Sequence, residues 1–155
     1  MDNSDITYID GFLNALSCGC SGCDYVPFYG AESFQFDGVS IQDSLENHFF
    51  SKEPIRRRRS IKTKPTIDNY TRIDREWKKQ LVRLLNKWID AKSNYDTSHN
   101  RIYKDDLIEI VEQFIGKNPK CFIANISHES FELCNDTIGF IGRGYSFYMH
   151  FSFSD

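Results

Sequence analysis

The sequence predicts an α+β domain in which an antiparallel C-terminal β-meander packs against about four helices. Three observations carry that expectation. Apolar residues recur at helical spacing over 5–16, 71–92 and 104–115. After Pro119 the period changes to two. Asn135-Asp136 and Gly142-Arg143-Gly144 punctuate the alternating stretches as turns. With 155 residues, 40% hydrophobic content, 13 Phe, 8 Tyr and 2 Trp, the chain has apolar mass for one core. Residues 1–155 are therefore read as a single domain.

In chain order, Ile9, Phe12, Leu13 and Leu16 form one stripe of a first helix over 5–16, with Asp5 as N-cap and Gly19 as terminator. The stretch DYVPFYGAESFQFD, 24–37, reads as two short strands joined by a turn. Ser40 and Asp43 make a capping-box-like pair that opens a short helix burying Ile41, Leu45 and Phe49. Residues 51–66, with two prolines and seven basic side chains, form a basic loop within the domain. A long helix over 71–92 would bury Ile73, Trp77, Leu81, Leu84 and Trp88, leaving Arg72, Arg75, Lys79, Arg83 and Lys87 as a basic stripe. The helix at 104–115 buries Leu107, Ile108, Val111, Phe114 and Ile115, and Gly116 and Pro119 stop it. Strands follow at 121–126, 130–134 and 137–141. In the last strand Tyr145, Phe147, Met149, Phe151 and Phe153 point one way, and Ser146, Tyr148, His150 and Ser152 the other.

The net charge of −3 conceals segregation. Residues 1–50 carry eight acidic side chains and no Lys or Arg; 51–104 carry sixteen basic against six acidic; 105–155 carry three basic against eight acidic. Blocks of one sign either meet each other in the fold or face a partner of opposite sign. No apolar run approaches the roughly 18 residues of a membrane span. The N-terminus is acidic where a secretory signal would be basic, so a cytoplasmic setting without membrane contact is expected.

Five cysteines cannot all pair within one chain. Cys121 and Cys134 sit in strand material, where a lone Cys is a small buried hydrophobe. Cys18, Cys20 and Cys23 would offer three thiolates to zinc, with Cys121, Cys134, His128 or His150 as the fourth ligand. The same glycine-rich turn suits a metal-free helix-to-strand connection, and the spacing leaves both open. Zinc is the only cofactor these residues suggest.

There is no P-loop, no dinucleotide-binding glycine motif, no HExxH and no nucleophile elbow. One catalytic constellation can be drawn: His128, Glu132, Arg143 and His150 on the polar face of the C-terminal sheet, able to cleave RNA without metal by acid–base chemistry. Residues 51–104 could meet nucleic acid, yet the acidic remainder weakens affinity for a polyanion. The favoured reading is a non-enzymatic protein-binding module. Its most concrete form is an immunity or antitoxin-like inhibitor that docks a basic, nuclease-type partner through an acidic aromatic surface. The expected contact residues are Asp24, Tyr25, Tyr29, Glu32, Asp37, Asp43 and Glu46.

Overall fold

The computed structural model describes residues 3–19, 26–52, 65–90, 97–116, 118–127, 134–142 and 144–154. Helix α1 spans Asn3–Gly19, α2 Ile41–Lys52, α3 Trp77–Leu85 and α4 Thr97–Ile115; a π-helical turn, Asn86–Asp90, extends α3. The strands are β1 Val26–Ser33, β2 Thr66–Arg72, β3 Lys120–Ser127, β4 Cys134–Gly142 and β5 Tyr145–Ser154. They form one sheet in the order β1-β5-β4-β3-β2, antiparallel at each pairing. β2 to β5 are thus a meander, and β1 adds to its far side. The α+β architecture matches the sequence expectation.

The period-two alternation of β5 divides the interior in two. Phe147, Met149 and Phe151 pack with Ile138 and Phe140 of β4 under α1, α3 and α4, against Leu13, Leu81, Trp88 and Val111. The opposite pleat sends Tyr148, with Phe122 and Ile141, against Leu45 and Phe49 of α2. Each fully buried Phe or Leu stabilises the fold by about 1.5–3 kcal/mol relative to exposure. α2 opens as expected: Ser40 Oγ accepts the Asp43 N–H at 3.1 Å. Gly116, at φ +63°, ends α4 in the left-handed conformation that glycine adopts without penalty.

Three expectations are corrected. Residues 24–37 do not hold a strand pair: β1 runs unbroken through Gly30, which turns nothing. A Cβ at Gly30 would lie 3.1 Å from Asp10 Oδ1, so the glycine admits that carboxylate. The helix over 71–92 is likewise shorter. Thr71 and Arg72 belong to β2, because Ile73 N–H continues the ladder by donating to Cys121 O at 2.8 Å. Pairing with β3 overrides the helical period there. Ile73, Trp77, Leu81 and Trp88 stay buried, Leu85 joins them and Leu84 is half-buried. Asn135-Asp136 is no turn but part of β4. Asn135 accepts the Ile126 N–H and donates to the Ile126 carbonyl, both at 2.7 Å, so its side chain satisfies a strand backbone across the pair. The basic loop falls mostly on 53–64, outside the described residues.

Candidate functional site

Three of the eight acidic residues of the first fifty positions, Asp10, Asp37 and Glu46, are engaged by the chain's own amides. Asp10 accepts the Ala31 N–H on β1 at 2.8 Å. Glu46 accepts the Ile67 N–H on β2 at 3.1 Å. Asp37 accepts the Val39 and Ser40 N–H groups at 2.8 and 3.1 Å, and the Val39 bond above all holds its carboxyl below the usual range. Of the expected contact residues, Asp43 is exposed in the first turn of α2. Tyr29 is no surface anchor: it is fully buried, donates to the Trp88 carbonyl at 2.7 Å and packs on Trp88 and Phe151. Asp24 and Tyr25 lie outside the described residues.

Glu32 belongs to a polar network that ties three elements together. Tyr148 of β5 donates its hydroxyl to Glu32 Oε2 of β1 at 2.7 Å. Lys52, the last residue of α2, pairs with the same oxygen. His48 Nε2 stands 3.5 Å from it and 3.4 Å from the Tyr148 hydroxyl. Burial lowers the pKa of His48 and of Lys52 and raises that of Tyr148. Glu32, His48 and Lys52 of this network line an open cleft of about 430 Å³ shared with Ile6, Thr7, Asp10 and Ser33. Its groups address one another: Tyr148 is 3% exposed and the His48 nitrogen faces inward, so the arrangement fastens α2 to the β1–β5 pair. In the sequence, the only sign of this network is the i, i+4 spacing of His48 and Lys52 on one helix.

In the RNA-cleaving set, His128, Glu132 and Arg143 lie outside the described residues. His150 does not sit on a solvent-facing sheet. It is 6% exposed, and its Nδ1 lies 3.0 Å from Thr137 Oγ1 within the β4–β5 pair. The thiol cluster of Cys18, Cys20 and Cys23 also falls outside what is described in full, and among the described residues no group of three metal-ligating side chains gathers. Cys121 is the buried hydrophobe expected; burial pushes its thiol up to about 12.

A surface that the sequence analysis did not single out lies on α1. Ile9 and Leu13 are fully buried, but Phe12 is only half-buried and its ring meets Tyr103 of α4 edge-on at 6.3 Å. Tyr8, one turn before Phe12, is 59% exposed, and Tyr103 is 45% exposed. Thr7, Tyr8, Gly11 and Phe12 line a shallow groove of about 520 Å³. Asp5 precedes Tyr8 by one turn of α1, and Asp106 follows Tyr103 by one turn of α4. α1 contains no Lys or Arg. The surface is therefore aromatic at its centre and acidic at its border, the composition that anchors a protein interface. Tyr8 and Phe12 at i, i+4 were the sequence signal for it. Comparison with known protein families, with curated proteins and with solved structures found no match in any of the three.

Proposed function

We propose that this protein is a non-enzymatic protein-binding module that docks a basic partner through the outer face of α1 and α4. The observation that carries the reading is the exposed pair Tyr8 and Tyr103 on either side of the half-buried Phe12, with Asp5 one turn before Tyr8 and Asp106 one turn after Tyr103. Aromatic anchors supply affinity, and carboxylates around them speed encounter with a cationic surface. The concrete form is an immunity or antitoxin-like inhibitor of a nuclease-type enzyme, working in the cytoplasm. No helix among the described residues is long and apolar enough to cross a membrane.

The test is capture from the source cell with wild-type protein and with a Tyr8→Ala/Tyr103→Ala variant. A basic protein held only by wild type, whose nuclease activity falls as the captor is added, supports the proposal. Each aromatic anchor should contribute about 2 kcal/mol, roughly thirtyfold in Kd. Equal capture by both forms removes the proposed surface. Cleavage of RNA by the purified protein itself, lost on His150→Ala, replaces the binding module with an enzyme.

A further inference from the structure

Gly11 lies in the interior of α1, where glycine is less favourable than alanine because of its backbone freedom. Among the described residues, other glycines have visible reasons. Gly30 admits Asp10, Gly139 lies against the ring of Phe122, and Gly38, Gly116 and Gly144 have positive φ. Gly11 has none of these. Its φ is not positive, and nothing lies within 4 Å of where its Cβ would stand. The missing side chain leaves room that the fold does not fill.

That room is the floor of the groove walled by Thr7, Tyr8 and Phe12. Its chemistry selects an occupant. Tyr8 and Phe12 supply aromatic faces, Tyr103 extends them through its edge contact with Phe12, and the exposed carboxylate of Asp106 follows Tyr103 by one turn of α4. A cation with a flat, weakly hydrated face and an apolar stem meets both features. Guanidinium fits better than ammonium, since it stacks on aromatic rings while keeping its hydrogen bonds to carboxylate in its own plane. We propose that the notch at Gly11 seats an arginine side chain of a basic partner protein. This rests on the docking surface proposed above and names what enters it.

The experiment titrates the full-length chain with a blocked hexapeptide of alternating arginine and alanine, and with the same peptide carrying citrulline in place of arginine. Citrulline keeps the shape and removes the charge. Wild type should bind the arginine peptide and lose about fivefold or more in affinity for the citrulline peptide. Gly11→Leu, which fills the notch with a good helix former, should also lose about fivefold or more while Tm stays level or rises by a few degrees. The opposite signs of binding and stability separate a blocked site from a damaged fold. Gly11→Ala provides a second variant in which Tm rises and affinity falls. Absence of arginine-peptide binding, a loss below fivefold in Gly11→Leu, or equal binding of the citrulline peptide overturns the proposal. If partner capture then still depends on Tyr8 and Tyr103, only the notch is lost; if the notch binds arginine but no partner is captured, the docking reading fails alone.

Discussion

The carboxylate of Asp10 on α1 accepts the backbone N–H of Ala31 on β1 at 2.8 Å, and β1 is an edge of the sheet. At the opposite edge, Glu46 of α2 does the same for Ile67 of β2 at 3.1 Å. Both carboxylates lie 21 residues from the amide they meet. An edge strand presents unpaired amides that invite another chain, and here each edge has one occupied by a helix-borne acid. Part of the acidic excess of the first fifty residues is thereby explained without any partner.

Asp10→Ala should destabilise the protein by about 1–2 kcal/mol, because the Ala31 amide loses its acceptor in a partly buried position. Asp10→Asn retains an oxygen and should cost less. Urea denaturation of the two variants checks the order, and an unchanged midpoint in Asp10→Ala would show that water serves the amide as well.

Tyr29→Phe should cost about 1–3 kcal/mol. The hydroxyl donates to the buried Trp88 carbonyl in the π-helical turn, and phenylalanine preserves the packing on Phe151 and Trp88 while removing that donor. Equilibrium unfolding measures the loss. Near-ultraviolet circular dichroism should keep its aromatic bands if only the hydrogen bond is removed.

Acid should weaken the fold through His48. Burial holds its pKa below the ordinary value of 6.5, so the unfolded chain takes up a proton at higher pH than the folded one. The stability contributed by keeping this imidazole neutral is complete above pH 6.5. It is lost as pH falls below 6.5 toward the folded pKa. His48→Phe suits a ring already surrounded by Phe34, Phe49 and Tyr148. It should flatten the decline in urea midpoint below pH 6.5, and an identical slope in wild type and variant would assign the acid sensitivity elsewhere.

Gly139→Ala should destabilise by about 1–3 kcal/mol or more, since a Cβ there overlaps the ring of Phe122, its partner in the β3–β4 register. Phe122→Leu made alongside should recover part of that cost, because the overlapping ring is gone. A double-mutant cycle that came out additive would place the strain somewhere other than this pair.

What could be read from the chain was whatever neighbouring residues decide. Ser40 and Asp43 are three residues apart, and the cap they form is local geometry. The alternation of Phe147, Met149 and Phe151 against Tyr148 follows from the pleat of one strand, and it correctly assigned opposite faces. It did not reveal that the polar face is covered too: His150 and Ser152 are as buried as the aromatics opposite. The groove on α1 was only half legible. Tyr8 and Phe12 stand at helical spacing, but nothing local shows that α1 turns Ile9 and Leu13 fully inward while Phe12 packs against the core with part of its ring still exposed.

Composition and period were enough to establish an α+β domain with a C-terminal antiparallel meander, because those properties depend on residues a few positions apart. Pairing across the sheet settled the remainder. It drew Thr71 and Arg72 from helix to strand, carried Asn135 and Asp136 into β4, and spent Asp10, Glu32 and Glu46 inside the molecule. A backbone amide left open at a sheet edge, or a tyrosine hydroxyl excluded from water, takes whichever partner the packed elements bring near. That choice exists only once distant segments have met.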